Sequence, residues 1–394
     1  MPARTDNKYE RRTRNTARQR RIRSVKRIGL IIISFAWLGS STVAFAAFGL
    51  TAAALVIVLL VPALLVSLLI NVVFLISARL EEEKPRQIAF LSPSSGGQPF
   101  YTALLNGLVR SASLALGQDY IILPSMPTTS FESMSIWALF AGLEDRQVDI
   151  DGIFFIPDDP DWHFEEIVGF HEERGDVPLV LIDVYFNLAA CDARTRARLP
   201  SFVGGDELAG GRIAGDIVIE AIGDYAPEQP MIMVINGGAA PWEQQRAVAL
   251  RKRLEEQWSR VRFVESPPIN YSRHEAFNYT YDQVKAMADE SRSVDLHAVF
   301  ACNDDMAIGA RAALTTLAND GYTFPHTPQI VGYDGISEIK EYINAKDIYL
   351  AGTVDVKVED QARAAMLLMH RLVRSGERRA EVQLIAPEPL RRPR

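Results

Sequence analysis

Cysteine is nearly absent. Cys191 and Cys302 are the only two in 394 residues. A pair so widely spaced makes no disulfide framework and is compatible with a reducing or an oxidising compartment. Cys302 lies in an apolar run and reads as a small buried residue. Histidine is also sparse: His163, His171, His274, His297, His326 and His370 show no metal-ligand spacing. Glycine is never clustered enough for a phosphate loop, since Gly96-Gly97 and Gly237-Gly238 are too short. Asp158-Asp159 and Asp304-Asp305 are adjacent carboxylates that read as loop and cap residues rather than an acid/base pair. There is no fixed-period repeat, and no low-complexity segment after Leu80. These absences argue against an enzyme. No catalytic residue, no metal ligand and no cofactor is assigned.

Charge is missing altogether from residues 28–78. A membrane-spanning helix needs about 20 apolar residues, and no globular helix stays apolar all round for this length. Two closely spaced transmembrane helices over 28–49 and 52–76 fit best, with the lipid bilayer as a partner. In front of them, residues 1–27 hold eleven Lys or Arg against Asp6 and Glu10, a net of +9, which leaves −16 for the rest of a chain whose total is −7. A basic arm beside a membrane segment is a topology signal and a contact for anionic lipid, so it stays cytoplasmic. One span then places the body outside the cytoplasm, and two return it inside. Ala44-Phe-Ala46 also resembles a cleavage site after an apolar region. These alternatives stay open on sequence. Residues 79–86 form a polar linker, and 87–394 the body.

The body alternates. Strands are expected at 87–91, 120–123, 152–156, 178–182, 201–203, 231–235, 262–264, 298–302, 329–331, 348–354 and 383–385. Helices are expected at 100–116, 131–143, 162–173, 208–222, 242–258, 274–288, 303–314, 337–344 and 357–374. Apolar strands alternating with helices specify an α/β fold with parallel sheets covered on both faces. Two such runs of about a hundred residues each imply two lobes. Ligands in such folds sit at strand carboxyl ends and between lobes. Polar residues at those ends, Asp183, Asn303 and Asp334 among them, are therefore candidates, although each has an ordinary reading as a turn or cap residue.

Four segments, taken in order, resemble the type I periplasmic binding proteins, the sugar receptors related to ribose-binding protein and to the ligand-binding core of the lac repressor family. They are Phe300-Ala-Cys-Asn-Asp-Asp-Met-Ala-Ile-Gly-Ala310, Val331-Gly-Tyr-Asp-Gly335, Gly210-Gly-Arg-Ile-Ala-Gly-Asp216 and Ala351-Gly-Thr-Val354. The resemblance covers about 87–385. It implies two α/β lobes joined by three hinge crossings and closing on ligand. Lobe 1 would run over about 87–185 and 355–377, and lobe 2 over about 190–352 and 380–390.

Matched position by position, the resemblance implies ligand contacts at Gln98, Phe100, Tyr101, Asp183, Arg246, Asn303, Asp334 and Asp355. The chemistry suits a sugar. Aromatic faces stack on the C–H face of the ring, aspartates accept from hydroxyls, Arg donates, and Asn does both. The pattern departs from many sugar-binding members at three places. Val184 follows the first aspartate where an Arg is usual, Val356 beside Asp355 replaces a Gln, and Asp206-Glu207 replaces an Asp-Asn pair. The implied function is a membrane-anchored solute-binding receptor, not an enzyme. It would take a small carbohydrate by domain closure, in a bacterial inner membrane with its binding domain extracytoplasmic. Its partner would be the permease of an ABC-type importer or a sensor. The alternative is a membrane-bound sensor or a regulator of the lac repressor type facing the cytoplasm. Residues 1–27 are too short and too charged for a helix-turn-helix, so no nucleic acid partner is expected.

Overall fold

The computed structural model describes residues 66–72, 85–93, 98–115, 120–125, 150–157, 164–173, 177–186, 191–238, 244–376 and 380–393. The expected spans lie outside the described residues except for 66–72, which are helical and exposed. Among the described residues no helix is long and apolar enough to cross a membrane. The helix expected over 131–143 also lies outside them. The chain divides into Met1–Lys84 and Pro85–Arg394, and every described strand lies in the second unit.

That unit opens with β1 (Arg86–Leu91), α1 (Pro99–Ala115), β2 (Tyr120–Ser125), β3 (Gly152–Phe155), α2 (Phe164–Glu173), β4 (Leu179–Ile182), the short α3 (Ala193–Arg196) and β5 (Ser201–Gly205). It continues through α4 (Glu207–Ile222), β6 (Met231–Ile235), α5 (Gln245–Gln257), β7 (Arg262–Glu265), α6 (Arg273–Met287), β8 (Ala298–Ala301) and α7 (Asp304–Asn319). It closes with β9 (Gln329–Asp334), α8 (Ser337–Asn344), β10 (Leu350–Asp355), α9 (Val358–Ser375), β11 (Val382–Ile385) and β12 (Glu388–Arg391).

Two six-stranded sheets result, ordered β11-β5-β4-β3-β1-β2 and β12-β10-β9-β8-β6-β7. Every pairing is parallel except β10 with β12. The strands have period two, so one strand feeds two cores. Ile88, Phe90, Phe154, Val180 and Ile182 face one side of the first sheet. Ala89, Leu91, Ile153, Phe155, Leu179 and Leu181 face the other. Burial on both faces explains their uninterrupted apolar sequences.

The chain crosses between sheets three times: at Asp206 between β5 and α4, at Val356-Lys357 between β10 and α9, and at Ala386-Pro387 between β11 and β12. Helix α4 lies on β9 and β10 of the second sheet, and α9 lies on α1, β4 and β5 of the first. This corrects the expected lobe limits. Residues 190–205 stay with the first lobe, because β5 pairs in parallel with β4. The terminal segment is split. Strand β11 pairs with β5 in the first sheet, and only β12 joins the second. Strand β12 was not expected from sequence. The last strand expected was 383–385, and a proline is tolerated in Glu388-Pro-Leu-Arg391 because β12 is an edge strand.

Candidate ligand-binding site

Asp183 follows β4 directly and Asp334 ends β9, so each sheet offers one aspartate at a strand carboxyl end. Both have left-handed backbones that non-glycine residues rarely adopt, with φ +69° at Asp183 and +112° at Asp334. Around Asp183, Val184 N donates to Ile182 O at 2.8 Å and closes a three-residue turn. Strain of this kind costs about 1–3 kcal/mol and collects at functional sites.

Arg246, in the first turn of α5, pairs with the second of these aspartates. Its Nη1 donates to Cys302 O at 2.8 Å and reaches Asp334 Oδ1 at 3.5 Å. Its Nε and Nη2 both donate to the Glu207 carboxylate, Nη2 to Oε1 at 3.2 Å. The guanidinium carbon lies 3.9 Å from the centroid of the Tyr333 ring. This is a fork–fork pair on an aromatic seat. Burial acts against the charge on Arg246, but Glu207, Tyr333 and Asp334 outweigh it, so the pKa is raised and the cation persists. Gly210 and Gly211 permit the arrangement. A Cβ at Gly210 would lie 1.9 Å from Tyr333 Oη, and one at Gly211 2.3 Å from Arg246 O.

The carboxyls respond in the opposite sense. Burial pushes Asp183 up to about 7, with Arg246 opposing and Glu207 reinforcing the shift. Burial likewise raises Asp334 well above the carboxylate range; Arg246 opposes this, while Asp304, Asp183 and Glu207 add to it. Arg246, Glu207 and Asp334 form one ion-paired group, and the charges of Arg246 and Glu207 are felt at Asp183.

The other expected positions separate into two groups. Asn303 is buried, and its Oδ1 caps α7 by accepting from Met306 N at 2.8 Å. Asp304 is fully buried. Its Oδ2 accepts from Gly335 N at 2.7 Å and Ile336 N at 2.8 Å, and its Oδ1 accepts from Thr353 Oγ1 at 2.6 Å. It fastens the turn that carries Asp334. Asp355 pairs in register with Asp334, but its Oδ1 accepts from Lys357 N at 2.9 Å and its Oδ2 lies 2.8 Å from Lys340 Nζ. Phe100 and Tyr101 start α1 and pack edge to face with centroids 5.4 Å apart, both within the core. Gln98 is half-buried just before α1. The structure therefore joins Arg246 to Asp334 directly, leaves Asp183 at the end of a strand in the other sheet, and gives Asn303 and Asp355 structural partners of their own.

Glu207, which sequence marks only as a departure from the family's Asp-Asn pair, and Tyr333, which it does not mark at all, are the partners of Arg246. An acidic residue in the first turn of a helix reads as an ordinary helix start. Tyr333 sits in an apolar strand and reads as core. The available signals are the position of Glu207 immediately after a crossing and that of Tyr333 beside Asp334. Tyr271 is equally silent in sequence. It has φ +56°, and a Cβ at Gly237 would lie 2.1 Å from its ring. Cys302 is buried, and burial pushes its thiol up to about 11, as expected of an inert packing residue.

Two six-stranded, mainly parallel sheets joined by three crossings, each with an aspartate at a strand carboxyl end, define a class, and comparison with known proteins agrees. The periplasmic binding protein domain family matches residues 174–378. The chain belongs to this family. Ribose import binding protein RbsB of Escherichia coli is 26% identical over 276 residues, which cover 69% of this chain and 79% of that one. A periplasmic solute-binding protein of an ABC transporter from Actinobacillus succinogenes, solved with bound D-allose, superimposes with a TM-score of 0.65 at 21% identity, covering 78% of this chain and 98% of that one. A solute-binding protein from Mycobacterium smegmatis, solved with bound glycerol, gives a TM-score of 0.62 at 21% identity, covering 78% and 95%.

Proposed function

We propose that this chain is a solute-binding receptor for a small polyhydroxylated ligand, a sugar or polyol, held between the two sheets and not chemically altered. One observation carries the reading. Asp183 and Asp334 are left-handed aspartates at the carboxyl ends of strands in different sheets, and Arg246 pairs with Asp334. A ligand that bridges them bonds both lobes at once, which is what couples binding to closure. Buried carboxylates also discriminate, because a ligand lacking the matching hydroxyl leaves a charge unpaired. The relatives support the ligand class, as their names and bound molecules are ribose, allose and glycerol. Residues 28–78 would anchor the protein in a membrane with the body extracytoplasmic, serving an ABC-type importer or a sensor.

Thermal stability measured across a panel of pentoses, hexoses and polyols tests this. A compound of the class should raise the Tm, and Arg246→Ala or Asp334→Ala should abolish the rise while each variant still melts cooperatively. Normal ligand-induced shifts in both variants would show that the site lies elsewhere. A shift with nucleotides alone would show a different ligand class.

A further inference from the structure

We infer that Glu207 is a specificity-determining residue: it occupies the donor edge of Arg246 and offsets its charge, so that the receptor takes neutral polyhydroxylated ligands and excludes their acidic counterparts, the uronic acids and sugar phosphates. This rests on the reading of the site as a solute receptor and narrows its ligand class.

A guanidinium has five N–H donors, and it recognises a carboxylate or phosphate by presenting two of them side by side. On Arg246 the protein itself takes those positions. The Nε–Nη2 edge faces the Glu207 carboxylate, Nε donating to Oε2 and Nη2 to Oε1 at 3.2 Å. On the other side, Nη1 donates to Cys302 O at 2.8 Å and reaches Asp334 Oδ1 at 3.5 Å. The Tyr333 ring lies against one face, 3.9 Å from the guanidinium carbon. The second N–H of Nη2 is the one donor that none of these contacts uses, and a lone N–H cannot make the two-pronged pair.

Charge leads to the same end. Two carboxylates and one guanidinium make up the ion-paired group. It is negative when all three are ionised and neutral when burial keeps a proton on Asp334, so in neither state does it attract an anion. The side chains are largely withdrawn from water, with Arg246 13% exposed, Glu207 15% and Asp334 9%. An acidic ligand would have to displace Glu207 from Arg246 and leave a buried carboxylate unpaired, which is strongly unfavourable. A neutral ligand gives Asp334 a hydroxyl to accept from and leaves the pair intact.

The backbone holds Glu207 in place. Asp206 caps α4 by accepting from Ala209 N at 2.9 Å, which fixes the chain beside Glu207. A Cβ at Gly205 would lie 3.3 Å from Glu207 Oε1, so the carboxylate rests against the crossing. Gly211 lets α4 press on the backbone of Arg246 itself. Arg246 is then a positioning residue that holds Asp334 and the Cys302 carbonyl, and Asp334 is the group offered to the ligand.

The test uses the full-length chain in detergent, with thermal shifts and titration calorimetry on matched pairs: glucose with glucuronate, galactose with galacturonate, ribose with ribose 5-phosphate, and any other aldose that raises the Tm with its uronate. In the wild type at least one neutral compound should bind, and its acidic partner should bind about tenfold more weakly or worse. Glu207→Ala, which opens the Nε–Nη2 edge, should narrow that ratio by about tenfold or reverse it. Glu207→Gln, which removes charge and keeps shape, should narrow it less, and Glu207→Asp should preserve the wild-type order. A Glu207 that only supports the fold would weaken both members of a pair equally. An unchanged ratio in the Ala and Gln variants therefore overturns the inference, as does an acid that binds the wild type as tightly as its neutral parent; the receptor reading survives either result. If Glu207→Ala does not melt cooperatively, the Gln variant and the wild-type ratio decide. If no compound gives heat or a thermal shift, the receptor reading falls and the inference with it.

Discussion

At the scale of single residues, Asp183 is the most informative. It follows β4 with a left-handed backbone, and the charges of Arg246 and Glu207 act on it in opposite senses. Its folded pKa of about 7 lies above the ordinary value of 3.8, so the ligand-free protein holds a proton there that the unfolded chain would release. A raised carboxyl pKa makes a stabilising contribution at low pH that is lost as pH climbs through about 7. A ligand that donates to the carboxylate favours its ionised form, so binding expels the proton. Affinity should therefore tighten as pH rises from about 5.5 to 7.5, and then level off. Calorimetric affinities across that range should show this slope in the wild type and a shallower one in Asp183→Asn. An unchanged slope in the variant would assign the linkage to Asp334 instead. Asp183 and Asp334 were candidates in the sequence because they stand at strand ends, and Arg246 because it falls where the resembled family has a binding arginine. Glu207 stood out only as a departure from the family's Asp-Asn pair; its pairing with a guanidinium 39 residues away in sequence was not legible.

At the scale of elements, the join between β8 and α7 shows how one short stretch does two jobs. Asn303 caps the helix, as its position after an apolar strand implies. Asp304 turns inward and binds the β9–α8 turn and β10. Sequence suggested only capping for it, since nothing local announces that Gly335, Ile336 and Thr353 will gather around its carboxylate. Removing that carboxylate leaves two backbone N–H groups and a hydroxyl unsatisfied in the core. Asp304→Ala should cost about 2–5 kcal/mol in denaturant unfolding. It should also weaken ligand binding, because the turn holding Asp334 at φ +112° loses its fastening. A variant of wild-type stability would show that water or relaxation replaces these bonds.

At the scale of the whole molecule, the three crossings at Asp206, Val356-Lys357 and Ala386-Pro387 link the two sheets of the Pro85–Arg394 unit. The function proposed for that unit depends on which side of a membrane it occupies, and the charge-free stretch of residues 28–78 bears on this. Alkaline phosphatase and green fluorescent protein fused in turn after Arg86 should report an extracytoplasmic position, with phosphatase active and fluorescence absent. The reverse pattern would favour intracellular sensing over import.

The alternation of apolar runs and amphipathic segments, with Asp or Asn at strand ends, already determined an α/β protein with parallel sheets and placed most elements to within a few residues. That signal is local, because period and capping are properties of neighbouring residues. The assignment of β5 and β11 to the first sheet, the addition of β12 to the second and the fastening of Asp304 were decided by tertiary structure alone. So was the pairing of Arg246 with Glu207 over the Tyr333 ring. Each depends on contacts between residues far apart in the chain, whose free energy comes from burial and from satisfying polar groups that no local pattern records.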